Sequence, residues 1–303
     1  MIDVGQGDAI YLEFNDKNML VDCGPKSGVD NLKQFLDERD VHQIDFLVYT
    51  HADEDHIGGG KEIFESYEIR TLYRPKILSA TEEARFGNYN NYNVKDTKSY
   101  DESIMSAYEE EGCNIKYSFE YEIISGEGYK ITFLNPDQDN YIYSNDYSAV
   151  LLIEVNGKKI LLQGDAETNI ETRLLVSYGD ELDVDILKVS HHGSKSSSGK
   201  DFLQVVTPEY AFISVGENQW GMPHTKVIEN LELVGTKVIY NTKEEGTIVT
   251  GINNSGVIEV FTYKNLHILD LPIILSVLIV AVLLTWGVKF KKKERKNEKK
   301  IAK

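Results

Sequence analysis

The chain has 303 residues, 41% of them hydrophobic and 27% charged, enough for one large globular domain or two small ones. Its net charge is −17, yet residues 289–303 hold nine Lys or Arg against two Glu, leaving residues 1–288 with 23 basic and 47 acidic groups, a net −24. Such an anionic body argues against a fold-wide basic face for polyphosphate, and two distant cysteines, Cys23 and Cys113, argue against a disulfide framework or a cysteine zinc site.

Along the chain, AIYLEF, FLVYT, YKITFL, AVLLIEV, KKILLQG, DILKVS and YAFISV are short runs rich in β-branched and aromatic residues and read as strands. Amphipathic stretches at 30–39, 61–67, 167–178 and 225–234 read as helices. Asn156-Gly157, between AVLLIEV and KKILLQG, is a two-residue hairpin signal. Hairpin-paired strands mixed with helices predict an α/β layered fold with mixed sheets. Residues 80–114, polar and rich in Asn and Tyr, read as an inserted loop and helix.

Residues 271–288 carry no charge over a length near the lower limit for crossing a bilayer core of roughly 30 Å, with Trp286 at one edge and a lysine cluster beyond. We therefore expect a globular body at 1–264, a transmembrane helix at 268–288 and a basic cytoplasmic tail at 289–303. By the positive-inside rule the body then faces outward, a topology that requires an export segment upstream of Met1. Without one, the body stays in the cytoplasm on a tail-anchored helix.

The chemistry begins in THADEDHIGGG, 50–60. His51, Asp53, Asp55 and His56 fall in the loop between a buried strand and a glycine-opened helix, and carboxylates packed so closely repel unless a cation holds them. Five of the seven histidines lie in three short segments: His51 and His56 here, His191 and His192 in KVSHHGSKSSSG, and His224 in WGMPHTKV. Each segment follows a strand candidate, so all three can converge on one sheet edge. Asp165, at the end of ILLQGD, can bridge two metals through its two oxygens. Mixed imidazole and carboxylate donors suit Zn, Mn or Fe.

The segments DVGQGDA, LVDCG, THADEDHIGG, NDYSAV, LLQGDAE, LKVSHHGS and PHTKV, in this order, resemble the metallo-β-lactamase superfamily, and within it most resemble the hydrolase domain of ComEC/Rec2-like competence proteins. The resemblance covers about residues 1–260. It implies a four-layer αββα sandwich, here followed by the C-terminal transmembrane helix expected from hydropathy, with two divalent metal ions, Zn or Mn, along one edge of the sandwich. It implies that His51 and Asp53 ligate the first metal, Asp55 and His56 the second, that Asp165 bridges them, and that His191 completes the second site. Asp53 stands where the commonest motif has histidine, which hardens the first site. Asn145 or Asp146 takes the place of a further usual histidine, and Asp146 is the better donor. His192 and His224 are then left over, as a proton donor or as residues that orient ligands. Asp55, His192 and His224 are thus the candidate catalytic side chains.

The function implied is membrane-anchored, metal-dependent hydrolysis of a phosphodiester, with water activated between two metals and DNA the first substrate to consider. The alternatives are a small or surface-bound phosphoester of phosphocholine or nucleotide type, for which the net −24 matters less, and an anchored binding module without turnover.

Overall fold

The computed structural model describes residues 1–15, 17–86 and 97–265. The expected transmembrane helix at 268–288 and tail at 289–303 lie outside the described residues. Among the described residues no helix is long and apolar enough to cross a membrane.

Two mixed sheets face each other. The first runs β1 (Ile10–Glu13), β2 (Asn18–Val21), β4 (Phe46–Val48), β6 (Thr71–Arg74), β7 (Asn114–Tyr117). The second runs β14 (Val238–Asn241), β13 (Tyr210–Ile213), β12 (Ile186–Lys188), β11 (Lys158–Leu162), β10 (Val150–Val155), β9 (Tyr129–Asn135), β8 (Ile123–Gly126). Short pairs, β3 (Gln43–Ile44) with β5 (Glu68–Ile69) and β15 (Ile248–Ile252) with β16 (Ile258–Thr262), flank them.

Alternation along the strands builds the layers, because successive side chains point to opposite faces. In the first sheet Leu20, Leu47 and Leu72 pack with Leu32, Leu36 and Ile63 of α1 (Val29–Asp37) and α3 (Gly60–Phe64). Their neighbours Met19, Val21, Val48 and Tyr73 turn the other way, onto Ile131, Phe133, Leu151 and Ile153 of the second sheet. That sheet's outer face, with Leu152, Leu161 and Leu187, is covered by Leu174, Phe202 and Leu231 of α6 (Thr168–Tyr178), α7 (Lys200–Val206) and α8 (Thr225–Leu233). The result is helix, sheet, sheet, helix, the four-layer αββα order.

The seven strand expectations and the four helix expectations each correspond to an element, with ends shifted by a few residues. Asn156 and Gly157 both take left-handed φ, 51° and 74°, and join β10 to β11 with Val155 opposite Lys158. Between β6 and β7 lie two helices, α4 (Ala80–Phe86) and α5 (Lys98–Glu109); residues 87–96 are outside the described set. A four-residue helix, α2 (Glu54–Ile57), begins inside the acidic loop, and α9 (Thr242–Glu245) precedes β15.

Candidate metal centre

Strands β2, β4, β11, β12 and β13 all run parallel to their neighbours on one side, and their C-terminal ends deliver Asp22, His51, Asp165, His191–His192 and Ser214 to one edge of the sandwich. Loops at such strand ends are where side chains from distant sequence can meet. Asp22 takes φ 58° and grips the acidic loop: its two oxygens accept from Thr50 N–H at 2.8 Å and Thr50 Oγ1 at 2.6 Å, and Oδ2 lies 2.7 Å from His56 Nδ1. Gly7 closes the loop from the other side, where a Cβ would stand 2.2 Å from the Asp55 carbonyl oxygen and only glycine fits.

The turn after β12 is unusual. His191, His192 and Gly193 take φ of 48°, 52° and 78°, two consecutive non-glycine residues in a sparsely populated region. That conformation aims both imidazoles at one carboxylate: His191 Nε2 and His192 Nε2 lie 3.7 and 3.6 Å from Asp165 Oδ2. His56 Nε2 is 3.2 Å from Asp165 Oδ1, and His51 Nε2 is 4.0 Å from Oδ2. Four imidazoles therefore converge on Asp165.

The remaining hydrogen bonds set the tautomers. His192 Nδ1 is 2.7 Å from the Ser214 carbonyl oxygen, which can only accept, so Nδ1 carries a proton and Nε2 presents its lone pair inward. His56 Nδ1 is likewise held by Asp22. The inward Nε2 atoms of His51, His56 and His192, and Asp165 Oδ1, are buried without a hydrogen-bond partner among the described residues. Buried polar atoms are rarely left so, and lone pairs facing a carboxylate repel it unless a proton or cation lies between.

The donor set fits a divalent cation. His51, His56 and Asp165 each offer one ligand atom within 4.8 Å of the others, and the orienting bonds on the far nitrogens are those that metal-binding histidines use. Asp8, His56 and His192 form a second such group, but there the histidine atoms nearest Asp8 are the Nδ1 nitrogens already committed to Asp22 and Ser214, so it fits less well. Without a cation, protons take its place. Burial opposes charge on His56 and His192, yet the surrounding carboxylates, Asp165 foremost, raise the pKa of both. Burial and the neighbouring His56 lower that of His51. Asp55 is held well below the usual carboxylate range: burial works against this, but His192 Nε2 at 3.2 Å outweighs it.

Not every expected residue joins the group. Asp53 does come near, with Oδ2 3.8 Å from His51 Nε2 and Oδ1 accepting from Ser144 Oγ at 2.6 Å. Asp146 does not: its Oδ1 accepts from Asn169 of α6 at 2.8 Å, and it is in neither donor group found among the described residues. His192, expected outside the ligand set, lies inside the converging donors, because the left-handed turn buries it more deeply than His191. His191 is partly exposed, with Nδ1 3.2 Å from Glu167. His224 stays at the start of α8, where its backbone N–H donates to Gly193 O at 2.9 Å and its imidazole is in neither group.

Two participants escaped the sequence reading. Lys188 is 1% exposed; its ammonium pairs with Asp8, donates to Gly164 O at 2.9 Å and lies 3.9 Å from Asp165 Oδ1. Asp8 is also buried and approaches His192 and His56. The available signal was a lysine inside the apolar run DILKVS.

A two-sheet α/β sandwich with histidines and aspartates gathered at its strand ends defines the class, and the chain belongs to the Metallo-beta-lactamase superfamily, whose family model matches residues 2–217. Among similar proteins, ComE operon protein 3 of Bacillus subtilis is 30% identical over 267 residues, 82% of this chain and 32% of that protein. Recombination protein 2 of Haemophilus influenzae is 28% identical, over 82% of this chain and 27% of its own. The chain thus spans about a third of the length of these relatives. A solved structure, the metallo-beta-lactamase fold protein YhfI from Bacillus subtilis, aligns with TM-score 0.47 and 12% identity over 84% of this chain and 92% of that one.

Proposed function

We propose that the chain is a metal-dependent hydrolase that cleaves phosphodiesters, nucleic acid first among them, with residues 1–264 as its hydrolase domain and 268–288 as a membrane anchor. Family membership and the His/Asp groups support metal-dependent hydrolysis in general. The single observation that carries the reading is the convergence of the inward nitrogens, His51, His56 and His192 Nε2, on the Asp165 carboxylate. Divalent ions held there would supply an acidified water and positive charge for a developing oxyanion.

The protein's own residues do the rest. His51, His56 and Asp165 would hold one divalent ion, and Asp53, Asp55 and His192, which lie beside them, would complete the donor set for a second. Asp22 fixes His56 and the Ser214 carbonyl fixes His192, so their lone pairs are aimed before any cation arrives. His191, partly exposed beside Glu167, is the imidazole placed to pass a proton toward a departing oxygen. Nucleic acid comes first because the relatives carry the names Recombination protein 2 and Competence protein ComA. The net −24 of residues 1–288 favours a second reading, a small phosphoester.

The experiment is hydrolysis of a simple diester, a monoester and single-stranded DNA by the Mn- or Zn-supplied full chain, beside Asp165→Asn. We expect diester and DNA cleavage that falls by more than about 100-fold in the variant, since even residues that only orient ligands are worth 10–100-fold. DNA cleavage should weaken steeply with salt, whereas a small-ester hydrolase would hardly respond. No metal-dependent cleavage of any of the three would refute the reading.

A further inference from the structure

An exposed tryptophan stands on a loop built into the metal centre. Trp220 is 60% exposed, between β13 and α8. Surface aromatics scattered singly need no explanation, but this one is carried on a braced backbone. The side-chain amide of Asn218 is fully used inside the loop: Oδ1 accepts from Trp220 N–H at 3.1 Å and Met222 N–H at 3.0 Å, while Nδ2 donates to Gly216 O at 3.0 Å and Met222 O at 2.9 Å.

Both ends of the loop are tied to the residues that hold the candidate ligands. At the near end, Ser214 O fixes His192 Nδ1 and Ser214 Oγ donates to Gly7 O at 2.6 Å. Gly216 N–H donates to Gln6 Oε1 at 3.2 Å, and a Cβ on Gly216 would lie 2.4 Å from the Gln6 nitrogen. At the far end, Pro223 lies against Gly193, where a Cβ would be 2.7 Å from it, and His224 N–H donates to Gly193 O. A second exposed ring, Tyr143 at 67%, adjoins Ser144, whose hydroxyl binds Asp53. Two loops anchored to different residues of the centre thus each present an uncovered aromatic.

We infer that Trp220 is a stacking platform for a nucleobase next to the phosphoester held at the metal centre, with Tyr143 as a second platform. The occupant follows from charge and shape. A body of net −24 gains little from attraction to a phosphate backbone, so affinity must come from the cations at the centre and from neutral contacts. Base stacking on an aromatic face is the neutral contact a nucleic acid offers at every position. A loop backbone braced by Asn218 loses little freedom when a base lies on the ring it carries. This inference rests on the phosphodiesterase reading and names its substrate class.

The test uses the full chain supplied with Mn and two phosphorothioate-linked probes of equal length, decathymidylate and its abasic counterpart, with binding followed by anisotropy. Wild type should prefer the base-bearing probe by about tenfold or more, the scale of stacking one base. Trp220→Ala should bring the two probes to within about twofold of each other, and Trp220→Phe, which keeps an aromatic face, should retain most of the preference. Metal content should be equal in all three proteins. Equal binding of both probes by wild type, or an undiminished preference in Trp220→Ala, overturns the inference. Cleavage of ordinary decathymidylate is read in parallel. Cleavage without base preference removes the platform and keeps the hydrolase; base preference without cleavage removes the hydrolase and keeps the platform.

Discussion

Lys188 shows how a single residue can be built into a site and only faintly marked in the sequence. In a strand read as DILKVS, a lysine is ordinarily the solvent-facing member of an alternating pair, and its apolar neighbours are the one local sign otherwise. Its burial is decided by Asp8, 180 positions earlier, and Asp165, whose carboxylates it compensates from beneath the centre. The histidines were easier, because five of them follow strand candidates; which imidazole of His191-His192 lies deeper depends on backbone conformation that sequence does not state. Glu171 is a second buried charge of this kind. It accepts from Ser198 N–H at 2.5 Å and Gly199 N–H at 3.1 Å, bracing the turn after the paired histidines. Burial nonetheless pushes its carboxyl up from an ordinary 4.5 to about 7. The folded chain therefore holds this proton more tightly than the unfolded chain, so the stability it contributes is full below pH 4.5 and is lost as pH rises through 7. We expect chemical denaturation to show wild type losing roughly 2.5 kcal/mol relative to Glu171→Gln between pH 5 and pH 8. Parallel pH dependence in the two proteins would show that Glu171 ionises normally.

At the scale of elements, periodicity located strands and helices because each must bury one face, and Asn156-Gly157 marked its hairpin because few dipeptides tolerate two left-handed residues. The pair β3–β5 lacked that signal, being two residues long in each strand, whereas β16 alternates half-buried and exposed residues and went unread. The 80–114 segment read as a loop and helix; among its described residues it supplies two helices, and the tie that fixes them is an ion pair. Arg74 at the end of β6 is 1% exposed and meets Glu82 of α4 through two hydrogen bonds, 2.9 and 2.6 Å. Tyr108 of α5 donates to the same carboxylate at 2.8 Å, and Tyr100 accepts from Arg74 at 3.3 Å. α5 in turn reaches the acidic loop, since Thr97 Oγ1 donates to Ala52 O and Ser103 meets Tyr49. Removing one charge of a buried pair strands the other, so Glu82→Ala should destabilise by about 3–5 kcal/mol. The double variant Arg74→Met/Glu82→Leu, which leaves no stranded charge, should be destabilised less. Equal losses would mean that packing, not the unpaired guanidinium, sets the penalty.

For the whole molecule, the four layers matter because they bring strand ends from residues 22 to 214 onto one edge. The seven ordered segments made that edge legible through resemblance; Asp146, expected there in place of a histidine because a carboxylate is a better donor than the Asn145 amide, has one oxygen bonded to Asn169. The central claim is that the edge is a metal centre. Its most direct test is the metal content of the purified full chain, by mass spectrometry after loading with Mn or Zn, beside His51→Ala, His192→Ala, Asp165→Asn and His224→Ala. About two ions per chain are expected in wild type and in His224→Ala, and fewer in the other three. Wild type that retains no ion from either metal, or variants at His51, His192 and Asp165 that retain as much as wild type, would contradict the claim.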